Sequence, residues 1–167
     1  MPLTRYVAYG SNLHPMRLAE RVPTARLRGC VALEGYELRF HKRGRDGSGK
    51  CSIVEAAGLV MAAVFDLDST ERHRLDEVEG LGTGYREMQL DVPGHGRCFT
   101  YQAMASCIDD DLRPYSWYKS LVLLGCAYNG FSTEYFASVK IVPERQDPDR
   151  GRHLENMRLV KRIVNGS

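Results

Sequence analysis

The feature that most constrains this chain is the apolar run from Ala56 to Leu67. It is too long and too branched for a turn and far below membrane-spanning length. It therefore reads as one strand covered on both faces at the centre of a sheet. LVLLGCA, beginning at Leu121, is the other long apolar stretch and is also too short to span. A membrane is not an expected partner. MPLTRYVAYG lacks the apolar region of a signal peptide, so a cytoplasmic location is expected.

Around that strand the punctuation is dense. Leu3 to Tyr9 is a first strand running directly into Gly10-Ser11-Asn12, and His14-Pro15 opens a short helix. Arg17 to Arg28 reads as arginine-rich and irregular. Cys30–Leu33 and Tyr36–Phe40 read as strand pieces around Gly35. His41 to Lys50 reads as a polar glycine-rich loop. Asp68 and Glu71 have capping-box spacing ahead of a short helix over Ser69–Val78. Tyr85–Val92 and Arg97–Met104 flank Pro93-Gly-His-Gly96 as a hairpin. Ser116 caps a helix to about Tyr128, and Ser132 caps another to about Lys140. A last short element covers Leu154–Val164. Five or six strands ahead of these helices, with no repeat and no linker, predict an α+β fold. Its sheet should be mixed and curved or barrel-like, with helices packed beside it. A length of 167 residues predicts a single domain over 1–167.

Charge excludes little by itself. Lys+Arg 23 against Asp+Glu 21 leaves +2, which does not point to a polyanion. Arg17 to Arg45 carries 8 Arg/Lys against 3 Glu, but without an aromatic-interleaved motif, so nucleic acid is not an expected partner. Of the 23 basic residues 18 are arginine, an excess with no assigned purpose. Cys30, Cys51, Cys98, Cys107 and Cys126 are odd in number and lack CxxC spacing, which predicts buried reduced thiols. Five scattered histidines show no ligand spacing, and Asp109-Asp110-Asp111 reads as a solvated turn. Gly44 to Cys51 misses the phosphate-loop pattern at its final hydroxyl and leads into an extended segment, so it reads as a surface loop.

Two segments carry chemistry. In Tyr9-Gly10-Ser11-Asn12-Leu13 a glycine bend after a strand can present consecutive backbone N–H groups to a carboxylate or an oxyanion. In Leu75-Asp76-Glu77-Val78-Glu79-Gly80, Asp76 and Glu79 share a helix face, and Glu79 sits at the helix C-terminus, where a negative charge is disfavoured. That is a solvated helix end, or a carboxylate held for proton transfer with its pKa raised by the dipole and burial.

Taken with Tyr118-Lys119-x-x-Val122-x-x-x-Gly125-x-x-x-Asn129-Gly130, these segments resemble the gamma-glutamylcyclotransferase family. Leu38-Arg39-Phe40 and the Ala57–Phe65 run fit the same order, and the likeness spans roughly Tyr6 to Tyr135. The resemblance implies a small mixed β-barrel-like sheet flanked by helices. It also implies cofactor-free, metal-free conversion of gamma-glutamyl dipeptides or amines to 5-oxoproline and a free amino acid or amine. On this chain it places the general acid/base at Glu79. Substrate binding falls to Tyr9, Gly10, Ser11, Asn12 and Leu13, with Tyr85 and Tyr118 as pocket tyrosines or core. The only partner it implies is a small gamma-glutamyl molecule, and it leaves a homodimer open. Phe131-Ser132 stands where the family has Leu-Pro after Asn-Gly, and Tyr85 lies one residue nearer Glu79 than in some members; both departures bear on substrate choice. A pathway-specific gamma-glutamylamine enzyme and a non-catalytic binder of gamma-glutamyl or carboxylate ligands are the alternatives.

Overall fold

The computed structural model describes residues 2–166. Strand β1 (Leu3–Ala8) lies at the centre of a five-stranded mixed sheet of order β2-β3-β1-β5-β4. Strands β2 (Arg26–Arg43) and β3 (Gly49–Asp68) form a long antiparallel hairpin, as do β4 (Tyr85–Val92) and β5 (Gly96–Ala103). Strand β1 joins the two hairpins, antiparallel to β3 from Leu3↔Asp68 to Ala8↔Ala63 and parallel to β5 at Tyr6↔Phe99. Its side of β3, Ala62 to Asp68, is buried on both faces, but the start of the expected run is not: Ala57 to Leu59 are exposed, and β3 lies beside the central strand rather than at the centre.

Because β1 stops at Ala8, β3 and β5 run on past it and close over the gap. Ala103 N donates to Ser52 Oγ at 2.9 Å, and Gln102 Nε2 donates to the Ile53 carbonyl at 3.1 Å. This closure curls the sheet into a half-barrel, with the end of β1 aimed into its mouth.

Among the described residues five helices flank it: α1 (Pro15–Arg21), α2 (Arg72–Glu79), α3 (Ser116–Tyr128), α4 (Thr133–Lys140) and α5 (Arg150–Gly166). In α3, Trp117, Tyr118, Leu121, Val122, Gly125 and Cys126 are buried, a helical stripe facing the sheet and α5. Asp147 anchors the start of α5. Its buried carboxylate accepts from Trp117 Nε1 at 2.9 Å and from Arg152 at 2.7 and 2.6 Å. No described helix is long and apolar enough to cross a membrane.

The structure departs from several expectations. The His41–Lys50 segment is a hairpin rather than a loop: Lys42 pairs with Lys50 and Arg43 with Gly49. Only 44–48 turns, held by Asp46 accepting from Ser48 N, Ser48 Oγ and Lys50 Nζ. Gly47, at φ +80°, supplies the conformation that a side chain resists. Local side-chain bonding of this kind is invisible to strand periodicity. The irregular start expected at Arg17 belongs to α1, whose N-cap is His14, its Nδ1 accepting from Met16 N at 3.1 Å. The strand pieces at 30–33 and 36–40 are one strand with a register shift at Glu34/Tyr36. Asp68 caps Thr70 N as expected, but Glu71 turns away to Thr24, so the capping box is not closed and a 3₁₀ turn precedes α2. The last helix starts four residues earlier than expected, at Arg150. Among the cysteines Cys51, Cys98 and Cys126 are buried, whereas Cys30 is exposed and Cys107 partly so; all five are free thiols.

Candidate active site

The mouth of the half-barrel holds a narrow notch of about 30 Å³. Its wall contains Tyr9, Gly10, Ser11 and Asn12 from the turn after β1, Glu79 from the end of α2, Tyr85 from the start of β4 and Tyr118 from α3. Residues up to 112 positions apart in sequence, Tyr6 and Tyr118, thus meet in one recess. Leu13 is absent from that wall. It is fully buried beneath the turn against α3, so its side chain supports the turn and does not face the notch.

The turn closes with Leu13 N donating to the Gly10 carbonyl at 3.2 Å. No described residue other than glycine has positive φ, and Gly10 is not among the positive-φ glycines. The glycine is needed for space, not for an unusual bend: a Cβ there would lie 2.9 Å from Cys51 Cβ and 3.5 Å from the Tyr118 hydroxyl. Among the described residues nothing accepts from the backbone amides of Ser11 and Asn12. Two such donors side by side suit an anionic oxygen. The Gly125 and Asn129 of the third sequence segment hold this turn from below. Asn129 Nδ2 donates to the Leu13 carbonyl at 3.0 Å, and Gly125 lets α3 approach so closely that a Cβ would stand 2.3 Å from Leu13 Cβ.

Glu79 is the last residue of α2, ended by Gly80 in the left-handed conformation at φ 68°. Its side chain is 17% exposed. Asn12 Nδ2 donates to Glu79 Oε1 at 3.0 Å and Arg21 Nη1 approaches the same oxygen at 3.2 Å. Arg21 Nη1 also donates to Asn12 Oδ1 at 2.9 Å, so three side chains orient one another. Asp76, one turn back on α2, points elsewhere: Tyr101 donates its hydroxyl proton to Asp76 Oδ1 at 2.5 Å, and Asp76 is not in the notch wall.

The tyrosines divide their labour. Tyr85 donates to the Cys51 carbonyl at 2.7 Å, while the Tyr118 hydroxyl accepts from Cys51 N at 3.0 Å and keeps its own proton. Tyr9 donates to the Tyr101 carbonyl. Burial, with Glu79 adding its negative charge, holds the phenols of Tyr6, Tyr9, Tyr85, Tyr101 and Tyr118 above the ordinary tyrosine range, so they are neutral. Burial also pushes the Cys51 thiol up, which leaves it a protonated wall group and no nucleophile. Tyr6, Arg21, Cys51 and Tyr101 carry no motif around them; only the barrel closure brings them here.

No family model matches the chain. It is 27% identical over 145 residues to a gamma-glutamylcyclotransferase of Homo sapiens, covering 82% of this chain and 77% of that protein. To the Mus musculus gamma-glutamylcyclotransferase it is 29% identical over 146 residues, with the same coverage. A solved gamma-glutamyl cyclotransferase superposes with a TM-score of 0.85 at 23% identity over 96% of this chain and 99% of the other. The structure of loc79017 from Homo sapiens gives 0.81 at 23% identity, with the same coverage. Sequence likeness over most of the chain, together with a shared half-barrel fold, gives a family-level match to the gamma-glutamylcyclotransferase/AIG2-like superfamily.

Proposed function

We propose that the chain, acting as one domain over 1–167, converts a gamma-glutamyl amide to 5-oxoproline and a free amine or amino acid, with Glu79 as the proton carrier. The observation that carries this reading is the placement of Glu79: a carboxylate held by Asn12 and Arg21 at the wall of a notch that also contains the Ser11–Asn12 turn. The substrate's alpha-amine is already tethered to its gamma-carbonyl, so holding the chain folded makes attack unimolecular, and no protein nucleophile is needed. An ammonium cannot attack. Glu79 takes one proton from the ammonium, and the amine nitrogen then bonds to the gamma-carbon. The amide C–N bond breaks as Glu79 returns that proton to the departing nitrogen. The ring nitrogen gives up its second proton to the released amine, leaving a neutral lactam and an ammonium.

The free amides of Ser11 and Asn12 receive a negatively charged oxygen of the substrate, either the alpha-carboxylate or the oxyanion formed at the gamma-carbon. The proton on Tyr118 is available to the same end of the substrate.

The test is Glu79→Gln, which keeps the bond from Asn12 but cannot shuttle a proton. Release of 5-oxoproline from gamma-glutamyl-alanine is expected to fall at least about a hundredfold with the melting temperature little changed. Asp76→Asn, acting on a group outside the notch, should do far less. Near-normal turnover by Glu79→Gln, or an indispensable Asp76, would defeat the assignment.

A further inference from the structure

Outside the notch, sharing Ser11, Glu79, Tyr85 and Tyr118 with it, lies a cleft of about 380 Å³. Arg17, Arg21, Lys42, Arg43, Arg45 and Lys50 line it, against the carboxylates of Asp46 and Glu79. The cleft is thus +4, while the whole chain is +2.

Pairing within the wall does not cancel this. Arg21 is matched by Glu79 at 3.2 Å and Lys50 by Asp46 at 2.9 Å, while Arg43 turns to Asp109 outside the cleft. Arg17, Lys42 and Arg45 remain. Lys42 is 7% exposed, and no described carboxylate or carbonyl accepts from its ammonium. Its Nζ rests 4.5 Å over the Tyr85 ring, in room left by Gly84, where a Cβ would stand 2.7 Å from it. Arg17 has a buried Nε without a partner and only a distant carboxylate, Glu20, at 3.9 Å. Arg45 donates one bond, to the Glu77 carbonyl. Burial lowers the pKa of both Lys42 and Arg17, the latter to about 10, with Arg21 repelling it. A buried cation without a counter-charge is costly; Lys42 is such a group, and with the half-buried Arg17 and the exposed Arg45 beside it the cleft is a site for anionic groups.

We propose that this cleft selects gamma-glutamyl compounds whose leaving amine carries at least two negative charges. The inference rests on the cyclotransferase reading. With the glutamyl end in the notch, the departing amine projects into the cleft. A single alpha-carboxylate there satisfies one of the three cations; a second carboxylate or a phosphate is needed for the others. Both anions share this chemistry, and the experiment separates them.

The experiment measures kcat/KM for 5-oxoproline release from two matched pairs. One is gamma-glutamyl-glutamate against gamma-glutamyl-glutamine, the other gamma-glutamyl-O-phosphoserine against gamma-glutamyl-serine. A preference of at least about tenfold for the charged member, shrinking as salt is raised, is expected in one pair or both, and the larger ratio identifies carboxylate or phosphate. Lys42→Gln should bring that ratio toward one. Arg45→Gln, on the exposed turn, should lower it as well, so a poorly folding Lys42 variant does not decide the matter. Equal turnover within both pairs overturns this inference and leaves the cyclotransferase reading standing. No release from any of the four compounds overturns both.

Discussion

Gly125 is where the packing of α3 and the geometry of the active site meet, and its replacement by alanine has a calculable consequence. The added Cβ would stand 2.3 Å from Leu13 Cβ, 3.1 Å from His14 N and 3.2 Å from Leu13 C. Carbon atoms in contact prefer about 3.5–4.0 Å, so helix and turn must separate by more than about 1 Å. Two of the three neighbours are backbone atoms, and the third is fixed to the backbone, so no rotamer change relieves the strain. Overpacking of this kind costs about 1–3 kcal/mol, which for a chain of this size lowers the melting temperature by roughly 2–12 °C. The turn that moves carries Asn12, which orients Glu79. A displacement of about 1 Å there is expected to reduce turnover by about a hundredfold.

Thermal unfolding followed by circular dichroism reads the first effect, and 5-oxoproline release at a temperature where the variant is folded reads the second. Because the clash is between two Cβ atoms, Leu13→Ala cannot relieve it whereas Leu13→Gly removes one partner. The Leu13→Gly/Gly125→Ala pair should therefore be more stable than the sum of its parts by about 1 kcal/mol or more. A Gly125→Ala protein with unchanged melting temperature and turnover, or strict additivity in the pair, would refute the close-approach argument.

Other outcomes follow from single contacts. Tyr118→Phe leaves the buried Cys51 amide without its acceptor and should cost about 1–3 kcal/mol in urea unfolding. It should also raise KM for gamma-glutamyl-alanine while kcat stays within about threefold; a collapse in kcat would put the phenol in the proton path. The hydrogen bonds from Arg152 and Trp117 hold the Asp147 carboxyl well below the usual carboxylate range. Its contribution to stability is therefore complete above the unfolded value of about 3.9 and is lost as pH falls through the folded value. Asp147→Asn should lower stability by about 2 kcal/mol at neutral pH and flatten the decline below about pH 4. An acid limb as steep as the parent's would mean that other carboxylates dominate it.

Much of this arrangement could be read along the chain because it is local. The β4/β5 hairpin and the span of α3 follow from strand alternation, turn glycines and the helical stripe that ends at Asn129-Gly130, and each is found within a residue or two of its expected bounds. The α+β class and the mixed sheet follow from the order of those elements. Asp46 at the tip of the β2/β3 hairpin shows the limit: its three side-chain bonds turn what reads as a loop into paired strands. Asp76 and Glu79 could not be separated by helical periodicity, since both lie on one face, and only the neighbours Tyr101 and Asn12 distinguish them.

The sequence by itself determined the strands, the helices, the turn after β1 and the short list of carboxylates, because each depends on interactions within a few residues. The tertiary structure decided what Gly10 is for, why Leu13 lies outside the notch, how Gly125 and Asn129 support it, and which face of α2 meets it. It also gathered Arg17, Lys42 and Arg45, drawn from a helix and a hairpin, around one cleft and so assigned three members of the basic excess a place. The physical reason is the short β1: the strands beside it close over its end, and that closure brings distant side chains to within hydrogen-bond reach.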